Sequence, residues 1–311
     1  MAFLRGLAAL AVVALIGFGA FLWITAPAKL PREMRQALAA AEPDAARGER
    51  IFLAAGCASC HAAPEAEGGD RLILAGGMRF PSDFGTFIAP NISPSPQGIG
   101  GWSTEDLALA LTRGVSPDGQ HYYPAFPYTS YIRMEPADIA DLKAYMDTLP
   151  GSDAASQPHD VGFPFDIRRT LGGWKWMFLR KDWVIEDAPE AGRYLVEALG
   201  HCGECHTPRN LLGATERAAW LSGAPNPGGD GTIPNITPGA LDWSEQDIAY
   251  YLESGFTPDF DSVGGHMAFI VDNYAQLPAE DRAAVAAYLK AVPPSTDCTL
   301  SRFFFDRKPC P

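Results

Sequence analysis

The pentapeptide Cys-x-x-Cys-His occurs twice, as Cys57-Ala58-Ser59-Cys60-His61 and Cys202-Gly203-Glu204-Cys205-His206. Two thiols two residues apart match the span between the vinyl groups on one porphyrin edge. The histidine that follows reaches the iron from the same face, so each pentapeptide reads as an attachment site for c-type haem. A zinc site or a redox dithiol would account for Cys-x-x-Cys, but neither requires the histidine. Two covalently bound haem c groups are the expected cofactors. Each would give a small domain a large apolar body to pack around.

A chain of 311 residues suggests about two domains of ~150 residues. Ala and Leu are abundant, runs of β-branched residues are nearly absent, and 31 Gly and 27 Pro are spread along the chain. That composition predicts an all-α fold of short helices and long loops. The net charge of −13 argues against nucleic acid as a partner and suits a basic redox protein.

The two halves repeat. Cys57 and Cys202 are 145 residues apart, and Pro90-Asn91-Ile92-Ser93-Pro94 precedes Pro234-Asn235-Ile236-Thr237-Pro238 by 144. Trp102-Ser103 matches Trp243-Ser244, and Gly114 to Asp118 matches Gly255 to Asp259, both at 141; Tyr145 matches Tyr288 at 143. The drift is what loop insertions and deletions produce. A helix is expected from Asp44 to Ala55, and its counterpart from Pro189 to Leu199. Ser103-x-x-Asp106 and Ser244-x-x-Asp247 read as capping boxes, and Pro136 and Pro278 open the last helices. Gly48 and Gly192 would let an aromatic residue of the last helix approach, or would merely loosen the first turn.

From Gly6 to Ala28 there are 23 residues without a charge, a helix of about 35 Å, long enough to cross a bilayer. A cleaved signal has a shorter apolar centre, and Trp23 suits the membrane interface. An uncleaved single-pass anchor is therefore the expectation, with removal as a signal the alternative. Flanking charges do not orient it: Arg5 precedes the span, while Lys29, Arg32 and Arg35 follow it. Because bacteria attach c-type haem outside the cytoplasmic membrane, the haem domains are expected in the periplasm.

The helix, haem motif, loop and helix of each half resemble class I cytochrome c. The phrases Pro90-Asn91-Ile92, Gly101-Trp102-Ser103, Tyr123 to Tyr128 and Cys205 to Asn210 resemble the cytochrome c subunits of membrane-bound alcohol, gluconate and fructose dehydrogenases. Those subunits usually carry three haem motifs, and this chain has two. The resemblance implies two tandem class I cytochrome c domains behind a transmembrane helix. The expected divisions are 1–28 (anchor or signal), 29–150 (first domain), 151–187 (linker), 188–297 (second domain) and 298–311 (tail). His61 and His206 are then the proximal iron ligands, and the late Met267 is the sixth ligand of the second haem. Met134 is the first-half candidate, with an apolar plug, since it aligns with Leu277, as the alternative reading; His121 is the runner-up. The carbonyls of Pro90 and Pro234 would fix the proximal rings, or belong only to turns. Arg209 pairs with a haem propionate or is an ordinary solvated arginine. In an oxidising compartment Cys298 and Cys310 would form a disulfide.

The linker begins with a polar run from Gly151 to Pro158, then carries Phe163, Phe165, Trp174, Trp176 and Phe178. These either pack on the domains or meet a partner. The functional expectation is an electron carrier rather than an enzyme, passing electrons from a dehydrogenase to a terminal oxidase or soluble cytochrome. The alternative is a dihaem redox enzyme, a peroxidase or sulfur-compound oxidase, with one open or labile haem.

Overall fold

The computed structural model describes residues 2–229 and 231–295. Cys298 and Cys310 lie outside the described residues. Helix α1 (Ala2–Ile24) is an apolar rod with none of its membrane-length window buried. It starts ahead of Arg5 and stops four residues short of Ala28. Pro27 biases the residue before it away from helical geometry, and the Thr25 hydroxyl turns back to the Phe21 carbonyl at 2.7 Å.

The body is helix-rich. α2 (Arg32–Ala40) and α3 (Ala45–Ala54) lead into α4 (Cys57–His61). The strands β1 (Arg79–Ser82) and β2 (Gly85–Ile88) form a small antiparallel hairpin in the loop after α4. Then come α5 (Thr104–Arg113), α6 (Tyr128–Tyr131) and α7 (Pro136–Met146). α8 (Thr170–Phe178) stands between the halves. The second half repeats the order with α9 (Glu190–Arg193), α10 (Gly203–His206), the hairpin β3–β4 (Ala224–Pro225, Thr232–Ile233), α11 (Glu245–Ser254), α12 (Met267–Tyr274) and α13 (Ala279–Ala291). The hairpins depart from the all-helical expectation, and both lie within loops.

Local sequence explains the boundaries. Asp44 caps α3 through the Ala46 and Arg47 amides. Ser103 with Asp106, and Ser244 with Asp247, form reciprocal capping boxes at α5 and α11. Gly114 and Gly255 end those helices in left-handed conformation. The counterpart of α3 departs from the expected plain helix: after Arg193 it passes into wider π turns over Tyr194–Leu199. That stretch contains the fully buried Glu197, which accepts bonds from the Val184 and Ile185 amides and the Tyr288 hydroxyl.

First and last helices cross in each half at a glycine. A methyl group on Gly48 would overlap the Asp141 carbonyl and lie 2.8 Å from the Tyr145 Cβ. One on Gly192 would overlap the Ala284 carbonyl and lie 2.8 Å from the Tyr288 Cβ. Close approach, not loosening, is what both glycines serve. Arg47 adds an ion pair to Asp141 (Nε–Oδ2 2.7 Å) across the first crossing.

The halves share a continuous apolar core, and their contacts are reciprocal. Arg50 of α3 forks onto Asp281 of α13, with Nε–Oδ2 at 2.7 Å and Nη2–Oδ1 at 2.5 Å. Tyr194, following α9, donates to Asp138 of α7 at 2.5 Å.

Candidate haem sites

Each Cys-x-x-Cys-His forms one helical turn, which brings its two cysteines, three residues apart, onto one face. The backbone must turn sharply to enter it. Gly56, just before Cys57, has φ 62, and His201, at the matching place before Cys202, has φ 41. A non-glycine residue is disfavoured there by roughly 1–2 kcal/mol. His201 is held by an Nε2 contact to the Ala55 carbonyl at 3.3 Å and an edge-on contact with the Tyr131 ring.

The two histidines have the same partner. His61 Nδ1 donates to the Pro90 carbonyl at 2.8 Å, and His206 Nδ1 to the Pro234 carbonyl at 2.8 Å. A carbonyl can only accept, so the proton sits on Nδ1 and Nε2 presents a lone pair. Burial holds both imidazoles below their ordinary pKa, outweighing the carbonyl contact, which acts the other way. The prolines are fixed by the asparagines that follow. Asn91 donates to the Ser152 and Ala154 carbonyls and accepts from Ser93, while Asn235 donates to the Ser295 carbonyl and accepts from Thr237. The turn and the ring-orienting carbonyl are therefore the same structure.

None of the four motif cysteines is paired in a disulfide. Burial pushes Cys57, Cys60 and Cys202 up to about 12, and Cys205 upward as well. Paired neutral thiols beside an imidazole with a bare Nε2 are the donor set that covalent haem needs. Beside the motifs, the buried Tyr274 hydroxyl, near Cys202, and Arg71 Nη2, whose guanidinium stacks on Phe269, have no hydrogen-bond partner among the described residues, as expected where a group with polar edges is to be enclosed. The residues fit haem. Cys57, Cys60, Cys202 and Cys205 would hold it, and His61 and His206 would reach its iron.

The remaining candidates fall in different settings. Met267 is the first residue of α12 and half-buried. Met134 is 2% exposed just before α7, and Leu277, its match before α13, is almost as buried. His121 has both nitrogens engaged: Nε2 lies 3.1 Å from the Thr25 carbonyl and Nδ1 3.1 Å from Lys175 Nζ. Arg209 pairs with Glu204 at 2.6 Å and bonds the Gly213 carbonyl.

Each motif also meets the opposite half. Cys60 Sγ lies 3.8 Å from His266 Nε2, and Ser59 accepts from Asn273 Nδ2 at 2.9 Å. In return, Thr129 donates to Glu204 inside the second motif at 2.6 Å. The short helix that precedes the last one in each half, α6 or α12, thus touches the other half's attachment turn, a pairing between distant positions that no local pattern encodes.

Attachment turns with proline-oriented histidines, set between crossed helices, define a c-type cytochrome. The cytochrome c family profile matches residues 45–150. The chain is 60% identical to the diheme cytochrome c-type protein of Cereibacter sphaeroides, over 93% of this chain and 98% of that one. It is 37% identical to the fructose dehydrogenase cytochrome subunit of Gluconobacter japonicus, over 81% of this chain and 53% of the subunit. It is 35% identical to the cytochrome c subunit of the quinone alcohol dehydrogenase of Gluconobacter oxydans, over 79% and 54%. The chain belongs to the cytochrome c family, and spans about half of each of those dehydrogenase subunits.

Proposed function

We propose that this protein is a membrane-anchored dihaem carrier that passes single electrons between a dehydrogenase and a terminal oxidase or soluble cytochrome. The observation that carries the reading is the duplicated site: two attachment turns, each with its histidine tied to a proline carbonyl at 2.8 Å. Haem iron supplies one-electron redox chemistry, tuned by its axial ligands and burial. The chain's own part is to hold each imidazole in one tautomer, exclude water and keep the two turns together.

Residues 29–150 and 188–297 form the two cytochrome c domains, each with one haem. The 1–28 segment is the anchor, and the body faces the periplasm. Met267 and Met134 are the sixth ligands. The position of Met267 at the head of α12 supports the first assignment, and the complete burial of Met134 the second. Held by these histidines and methionines, the two irons would offer no open position, and the protein would relay electrons rather than turn over a substrate. Its acidic surface suits a basic redox partner.

Intact mass and haem staining of denatured full-length protein test the cofactor count. Two haem additions are expected, falling to one in a Cys57→Ala, Cys60→Ala variant. A colourless, metal-binding preparation from a host able to attach haem would defeat the proposal. Rapid carbon monoxide binding together with peroxide turnover would replace the carrier with a dihaem enzyme.

A further inference from the structure

Helix α8 divides into two faces with different surroundings. Trp174 and Lys175 point inward: the indole donates to the Leu212 carbonyl at 2.8 Å, and Nζ to the Gly114 carbonyl at 2.5 Å. On the other side lies a stripe at helical spacing, Arg169, Gly172, Gly173 and Trp176. Arg169 bonds the Leu22 carbonyl (2.8 Å) and the Thr25 hydroxyl (3.0 Å) at the end of α1. A methyl on Gly172 would lie 2.6 Å from the Thr25 Cα. The stripe therefore lies against the C-terminal end of the apolar rod, and one turn further on it presents Trp176, 71% exposed.

Other large apolar groups are uncovered in the same segment, with Phe163 at 81% exposed and Met177 at 42%. Leaving aside the inward-pointing Lys175, residues 163–181 carry four basic side chains (Arg168, Arg169, Arg180, Lys181) and one acidic (Asp166), in a chain of net charge −13. Arg180 and Lys181 are exposed. Exposed aromatics beside basic residues, continuous with the end of a membrane-length helix, match the interfacial layer of an anionic bilayer. There amphipathic rings sit at headgroup depth and cations meet lipid phosphates.

We propose that residues 163–181 form a second membrane contact, lying in the headgroup layer of an anionic phospholipid surface beside the point where α1 leaves it. The proposal rests on the reading of α1 as an anchor. Trp176, Met177 and Phe163 enter the interface, Arg180 and Lys181 meet phosphates, and the body rests against the membrane.

The test uses the unmodified full chain in vesicles of phosphatidylcholine and phosphatidylglycerol. One preparation carries a diazirine on the lipid headgroup, another a diazirine in the acyl chain. After illumination, crosslinked peptides are identified by mass spectrometry. Headgroup labelling of 163–181 should exceed that of the exposed α11 peptide by roughly tenfold, with acyl-chain labelling confined to α1. A Trp176→Ser, Met177→Ser variant should lose most of the labelling in 163–181 and keep that of α1. Labelled α1 with 163–181 no higher than α11 would overturn the proposal, leave the anchor intact, and give the exposed aromatics to a protein partner. Absence of labelling on α1 as well would bring down the anchor reading together with it.

Discussion

Arg50 and Asp281, 231 residues apart in sequence, meet in a two-pronged ion pair (2.7 and 2.5 Å) that joins the first helix of one half to the last helix of the other. The carboxylate is almost wholly covered, and the guanidinium is half-exposed. At the matching positions Tyr194 meets Asp138 at 2.5 Å, so one contact is ionic and its partner is a phenol–carboxylate bond.

Removing the guanidinium leaves a covered carboxylate without its donor. Arg50→Ala should cost about 1–3 kcal/mol, read as a lower denaturation midpoint. A cycle with Asp281→Ala should show strong coupling, and additive effects would mean that the pair contributes nothing of its own.

Gly48→Ala and Gly192→Ala force a methyl into a backbone carbonyl at the two helix crossings. Each should destabilise its half by on the order of 3 kcal/mol or more, beyond ordinary overpacking. Thermal unfolding followed at haem and tyrosine bands should show the loss. A neutral result would mean that the helices can part without cost.

The sixth-ligand proposals separate by spectroscopy. Met267→Ala should open one haem to carbon monoxide, abolish its thioether absorption and lower its potential. Met134→Ala should do the same at the other haem. An unchanged spectrum in the Met134 variant would assign that residue the role of Leu277, an apolar plug.

Lys175 is a buried amine without a carboxylate partner among the described residues, and burial lowers its pKa from 10.5 to about 7. Between those values the unfolded chain holds a proton that the folded chain has released. Unfolding then takes up a proton, so stability rises with pH across that window and levels off above it, by on the order of 1 kcal/mol per unit. Lys175→Met should flatten the rise between pH 7 and 10. An identical pH profile in the variant would show that Lys175 keeps its proton, held by the Gly114 carbonyl and the Tyr128 ring.

Features set by near neighbours were legible in the sequence. The capping boxes, the glycine crossings and the Pro-Asn turns behind each histidine follow from short patterns, because the partner groups are few residues away or repeat in step. The end of α1 is not legible from the run of apolar residues, since the helix stops at Ile24. The charge-free run continues to Ala28, but Thr25 is drawn into the body by Arg169 and His121, over a hundred and nearly a hundred residues distant respectively. His121 looked available as an iron ligand for the same reason. The π turns after Arg193 and the left-handed His201 were also hidden, since both answer to contacts with other segments rather than to local propensity. The linker aromatics divided, Trp174 being buried and Trp176 exposed, because a helix with two differently occupied faces reads from composition as one apolar patch.

The joint at Thr25 bears on how the protein meets other molecules. A globule on a slack tether sweeps a hemisphere and presents every side in turn. Here the Leu22 and Thr25 carbonyls and the Thr25 hydroxyl are bonded to Arg169 and His121, which removes the swivel. With α1 held in a membrane, as proposed above, this joint would set the height and tilt of the body, leaving spin about the rod axis and lateral drift as its remaining freedoms. An encounter then becomes a search over a plane and one angle, in which an incoming molecule meets the same latitude of the surface every time.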